Sequence, residues 1–141
     1  MPAMTTDEAV AAALARHRGA EGPLLPILHD VQEALGFIPN AAVPQIAQAL
    51  NLSRAEVHGV VTYYHHFRNE PPVAPLLQVC RAESCRSMGS EALWDCARSL
   101  SECQPETVYC LGLCAQSPAA MLGDKPLARL TPEKLKAAVK A

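Results

Sequence analysis

A chain of 141 residues, half of them hydrophobic, with a mean hydropathy of +0.05, has the composition of a globular protein of one domain or two very small ones. Its formal net charge of −2 gives no electrostatic reason to expect nucleic acid, and no apolar run approaches the roughly 18 residues that suggest a membrane span. The N-terminal stretch lacks a basic region followed by an apolar core, so no secretory signal is read there and a cytoplasmic protein is expected.

The first half reads as a helical bundle. Thr5 and Glu8 fit a capping box that opens a first helix, and Gly19 closes that segment. Pro26 suits the first turn of a second helix, which carries Leu28, Val31 and Leu35 on one stripe and ends at Gly36. A third helix covers about Ala42 to Leu50. Ser53 and Glu56 form a second capping box, with Leu52 and Val57 as its hydrophobic staple, and the helix they open is expected to run to Phe67. Val57, Val61 and Tyr64 share one face of it. Gly59 weakens it by about 1 kcal/mol relative to Ala, which a close backbone neighbour or crowding in the bundle would explain. His65 and His66 read as a helix-surface pair.

Residues 69–75 read NEPPVAP, and three prolines there favour a stiff extended link. The expected organisation is a helical bundle over residues 1–70, a linker over 71–75 and a second domain over 76–141. All five histidines precede this boundary and all six cysteines follow it. Leu76 to Cys80 reads as a buried strand and Ser90 to Leu100 as a helix. Thr107 to Cys110 reads as a short strand, reached through the connection SECQPE. Two short segments around Gly123–Asp124 read as a hairpin, and Thr131–Pro132 starts a last helix. The fold class is thus α+β with two domains, the second a small α/β layer arrangement of the thioredoxin type.

Four cysteines carry most of the chemistry. Four residues separate Cys80 from Cys85, three separate Cys110 from Cys114, and 24 lie between the pairs. Each pair can offer two thiolates to one iron of a binuclear cluster. Both pairs follow predicted strands, where ligand sites of open α/β sheets gather. Gly89 and Gly112 allow tight turns, backbone N–H groups of such loops can point at sulfur, and Arg81 and Arg86 can offset negative charge. Structural zinc is an alternative, as are disulfides, although a reducing compartment disfavours the latter. Cys96 reads as a core residue. Cys103 could replace one of the four, since spacing alone does not exclude it.

The strings CRAESCRSMG and VYCLGLCAQSPAAM, with the upstream stretch from Leu24 to Arg68, resemble the thioredoxin-like [2Fe–2S] ferredoxin subunits. That family includes the 24-kDa-type subunit of respiratory complex I and the matching subunit of NAD-reducing hydrogenases. HGVVTYYHHFR, CRAESC and YCLGLCAQSPA look most like its formate dehydrogenase gamma members. The resemblance implies Cys80, Cys85, Cys110 and Cys114 as ligands of one [2Fe–2S] cluster. It also implies a partner subunit carrying FMN and NAD and a larger molybdenum/iron–sulfur catalytic subunit. The family usually has a longer segment between the two cysteine pairs.

The implied function is electron transfer in an NAD-dependent formate dehydrogenase, with no catalysis by the isolated chain, no nucleic acid and no membrane insertion. The equivalent subunit of complex I or of a hydrogenase is the nearest alternative. A DNA-binding redox sensor is an alternative of another class, because Ile46 to Val61 also scans as helix-turn-helix. Against it, residues 1–72 carry four Lys/Arg and seven Asp/Glu, the wrong balance for phosphate.

Overall fold

The computed structural model describes residues 3–141 and divides into two compact units, Met1–Pro71 and Pro72–Ala141. Among the described residues there are seven α-helices, one 3₁₀ turn and a mixed four-stranded sheet, an α+β architecture. Among the described residues, no helix is long and apolar enough to cross a membrane.

The first unit contains α1 (Thr6–Arg16), α2 (Leu24–Leu35), α3 (Ala42–Leu50) and α4 (Arg54–Tyr63). Both expected capping boxes form: the Thr5 and Ser53 hydroxyls accept from the Glu8 and Glu56 N–H groups, and each glutamate accepts from its cap's backbone. Gly36 ends α2 at φ +84, a left-handed cap that suits glycine. One core holds Val10, Ile27, Leu28, Val31, Ile46 and Val57.

Three readings of this unit change. α4 stops at Tyr63, so His65 and His66 sit in a turn rather than on a helix. The cause lies 34 residues away: buried Gln32 donates through Nε2 to the His66 carbonyl at 2.8 Å and accepts the Arg68 N–H at 2.9 Å, holding residues 66–68 against α2. Phe67 folds back into the core, whereas Tyr64 is exposed. At Gly59, an added Cβ would meet nothing within 4 Å, so neither a close backbone nor crowding explains that residue.

The second unit builds its sheet in the order β2-β1-β3-β4 from β1 (Leu76–Cys80), β2 (Gln104–Val108), β3 (Ala120–Leu122) and β4 (Lys125–Leu127). β1 and β2 run parallel with Cys80 opposite Val108, and β3 pairs antiparallel with both β1 and β4. Gly123 at φ +57 opens the two-residue hairpin turn. Leu77 and Val79 alternate onto one face, where Leu93 and Ala97 of α6 (Ser90–Arg98) and Leu135 of α7 (Pro132–Lys140) complete a core. Thr131 caps α7 and Pro132 occupies its first turn, as expected.

β2 begins three residues earlier than the sequence reading placed it and ends before Tyr109. Pro105 hides this strand, because proline suits only an edge, and β2 is an edge strand. The Gln104 N–H turns inward to the Pro75 carbonyl at 2.8 Å, so the Pro105 nitrogen, which has no hydrogen, faces outward. Pro126 lies on the opposite edge in β4. A short helix absent from the sequence reading, α5 (Glu83–Ser87), carries Cys85.

Candidate iron–sulfur site

The parallel pairing of β1 and β2 brings the two cysteine loops to one end of the sheet. Cys80 is the last residue of β1, and its N–H reaches the Ala119 carbonyl at 3.1 Å. The Arg81 N–H bonds the Val108 carbonyl at 2.9 Å, extending the ladder one step into the loops. Cys80 and Cys85 are buried with Ala119 among Ala82, Val108, Leu111 and Leu113. Cys110 and Cys114 are exposed. Cys110 lies two residues past the end of β2 rather than at it, and Cys114 opens the 3₁₀ turn Cys114–Gln116.

Cys110 adopts φ +84, a left-handed conformation uncommon outside glycine. This bend turns successive amides toward sulfur, a nest for an anion. Burial pushes the Cys80 thiol up, but N–H groups of Ala82, Cys110 and Leu111, with the Cys85 thiol, outweigh it and hold Cys80 below the ordinary thiol value. Gly112, at φ +76, gives its N–H to the Cys110 sulfur at 3.4 Å. The expectation that loop amides face sulfur is met at both ends of the site.

The Cys110 and Cys114 sulfurs are 3.6 Å apart. A disulfide would need about 2.05 Å, and all six cysteines are free. Two thiolates on one tetrahedral metal, at bonds of about 2.3 Å, sit about 3.8 Å apart. The hydrogen bond and charge of Cys110 push the Cys114 thiol up. Among the described residues, no three His, Cys, Asp or Glu side chains converge on a single ion. The thiols come as two pairs, a donor set that a binuclear centre can use with one pair on each metal.

Two serines not singled out in the sequence join the loops. The Ser117 hydroxyl donates to the Cys114 carbonyl at 2.7 Å, and Ser84 lies 3.1 Å from the same oxygen. The two hydroxyls are 2.8 Å apart, and the Cys85 sulfur is 3.6 Å from Ser117 Oγ. Both sit inside the cysteine strings, but only the fold, which closes 33 residues into one contact, reveals their use.

The arginines behave differently from expectation. Arg81 pairs with Glu91 through two nitrogens, at 2.9 and 2.8 Å, and lies over the Trp94 ring at 5.1 Å. Arg86 contacts the same carboxylate at 3.4 Å. Two cations therefore share one anion. Cys96 packs at the margin of the α6–α7 core with its sulfur toward the Pro132 carbonyl. Cys103 is buried in that core, and burial pushes its thiol up. It precedes β2 whereas Cys110 follows it, so the five-residue strand separates them by about 17 Å. Cys103 is therefore no substitute for a member of the quartet.

A two-layer fold with paired thiols beyond adjacent parallel strands, and amides turned onto their sulfurs, defines a small iron–sulfur protein of thioredoxin-like architecture. The family described as "Thioredoxin-like [2Fe-2S] ferredoxin" matches residues 10–141, and the chain belongs to it. Over 132 residues the chain is 33% identical to an NADH-quinone oxidoreductase subunit of Rhizobium meliloti (strain 1021), covering 86% of this chain and 79% of that protein. Over 140 residues it is 27% identical to the alpha chain of the NAD-reducing hydrogenase HoxS of Cupriavidus necator, covering 92% of this chain and 23% of that one. The crystal structure of an NAD+-reducing [NiFe]-hydrogenase in the H2-reduced state has a similar fold, with a TM-score of 0.68 at 23% identity over 83% of this chain and 21% of that chain. The chain thus spans most of the Rhizobium relative but under a quarter of the hydrogenase chains.

Proposed function

We propose that this chain is the electron-transfer subunit of an NAD-linked oxidoreductase and holds one [2Fe–2S] cluster through Cys80, Cys85, Cys110 and Cys114. The observation that carries this reading is the pairing of thiols at the ends of β1 and β2 with backbone N–H groups aimed at Cys80 and Cys110. When bound, such a cluster supplies reversible one-electron storage. The apolar side chains around Cys80 and Cys85 exclude water from one side. Exposed Cys110 and Cys114 leave the other side open to a redox partner.

Within this class we assign the chain to an NAD-dependent formate dehydrogenase, beside a subunit carrying FMN and NAD and a molybdenum/iron–sulfur catalytic subunit. Support comes from the segments HGVVTYYHHFR, CRAESC and YCLGLCAQSPA. The second reading, the equivalent subunit of an NADH-quinone oxidoreductase or a hydrogenase, draws on the names of the relatives. The helical unit serves docking to the flavin subunit. Tyr63, three-quarters exposed, is the surface probe of that role, whereas Val61 belongs to the core and its replacement by a charge would unfold the bundle.

Anaerobic purification of the whole assembly tests all levels. Two irons per copy of this chain and an EPR signal of a reduced binuclear centre support the cluster, and zinc in place of iron overturns it. Formate-dependent NAD+ reduction by the co-purified complex supports the assignment. Hydrogen- or quinone-dependent turnover without formate activity moves it to the second reading. Tyr63→Ala is expected to weaken retention of the flavin subunit, and unchanged retention would remove the docking role.

A further inference from the structure

We infer that Ser117 donates a hydrogen bond to the Cys85 sulfur where that sulfur serves as a ligand, and that this bond raises the reduction potential of the site. The inference rests on Cys85 being a cluster ligand. It follows from counting protons. Ser84 and Ser117 each have one hydroxyl hydrogen to give. As a thiol, Cys85 supplies its own proton toward Ser117 Oγ across 3.6 Å, and Ser117 gives its proton to the Cys114 carbonyl at 2.7 Å. As a ligand, the Cys85 sulfur has no hydrogen to donate and can only accept.

The second serine makes the exchange possible without leaving an acceptor stranded. Ser84 Oγ is 3.1 Å from the Cys114 carbonyl, so it can serve that oxygen while Ser117 turns its hydrogen to sulfur. Two hydroxyl protons then meet two acceptors, the Cys114 carbonyl and the ligand sulfur, and the 2.8 Å Ser84–Ser117 contact gives up its hydrogen and lengthens. Ser117 is 9% exposed and Cys85 is 3% exposed, so water competes poorly for either. A charge-assisted bond in such a place is about twice as strong as a neutral one. An added electron increases negative charge on the ligand sulfurs, and a donor on sulfur stabilises that state. Ser117 is therefore a positioning and tuning residue: it touches a ligand atom and not the reacting partner.

The test is an EPR-monitored redox titration of the purified assembly with wild-type chain, Ser117→Ala, and the near-isosteric pair Ser117→Thr and Ser117→Val. Loss of the hydroxyl should move the midpoint potential to a more negative value at unchanged iron content, with Thr close to wild type and Val following Ala. Ala and Val at the wild-type potential with full iron would overturn the inference, as would Thr and Val shifting equally. A role confined to tying the loops would lower cluster retention or thermal stability without moving the potential. Should Ala fail to retain iron, the Thr and Val comparison decides alone. If the wild-type chain itself carries no iron, it is the cluster reading that fails, which separates the two outcomes.

Discussion

Arg81 follows Cys80 directly in the chain, yet its guanidinium is committed to Glu91, with Nε and one terminal nitrogen on the two carboxylate oxygens at 2.9 and 2.8 Å. The other terminal nitrogen reaches the Thr107 hydroxyl at 3.4 Å, and the Trp94 ring supports the plane from one side. The arginine beside Cys80 is held by a carboxylate and an indole rather than left to roam over sulfur.

Replacing Glu91 by Gln leaves Arg81 and Arg86 without their shared anion and adds one net positive charge next to the cysteines. The midpoint potential should become less negative, and the shift should shrink in high salt, where partly exposed charges are screened. The melting temperature should fall modestly. A redox titration at two ionic strengths, paired with thermal melts, reads both effects.

The capping carboxylates predict a pH dependence in the helical unit. The backbone N–H of Thr5, then its hydroxyl, holds Glu8 below the ordinary carboxylate value, and Ser53 does the same for Glu56. A carboxylate with a depressed folded-state pKa stabilises above its unfolded pKa, and that contribution disappears as pH falls through the folded value. Wild type should therefore melt higher than Glu56→Gln at neutral pH, with the gap closing below the ordinary carboxylate range. Melting curves from pH 7 to pH 3 check the convergence.

Gly59→Ala should stabilise the helical unit by about 1 kcal/mol, because the helix interior gains Ala propensity and the new methyl meets open space. Urea unfolding followed by helical circular dichroism should show a higher midpoint with an unchanged slope. A loss of stability would mean that the surface of α4 is covered in solution.

Cysteine replacement should divide sharply. Serine at Cys80, Cys85, Cys110 or Cys114 should reduce bound iron and bleach the visible spectrum. Cys103→Ala should leave iron at two per chain while costing about 1 kcal/mol, the scale of one small buried group. Removing iron with a chelator should expose the amides of residues 80–85 and 108–114 to hydrogen exchange and leave the amides of the four-helix unit protected.

What the sequence announces, it announces through local chemistry. The Thr5 and Ser53 caps, the Gly36 stop, the Gly123 hairpin and the Thr131–Pro132 start are decided within a few residues, and each stands where its neighbours specify. The readings that change depend on distant partners. Tyr64 to Phe67 has helical character by itself, but Gln32 takes the backbone of His66 and Arg68 and ends α4 early. Gln104 to Glu106 looks like a connection until its neighbour proves to be β1 on one side only. In the site, the cysteine spacing is visible from the string. The left-handed turn at Cys110 and the Ser84–Ser117 bridge require two loops to meet and leave no periodic or compositional mark.

The two prolines that border the sheet carry a consequence for assembly. An open sheet of four strands would ordinarily present two rows of unspent amides, a template on which a second copy could zip itself strand against strand. Here Pro105 breaks the row on one flank and Pro126 breaks it on the other, beside the charged Lys125. Neither flank can be lengthened by an uninterrupted ladder, so the backbone ribbon of the sheet stays finite.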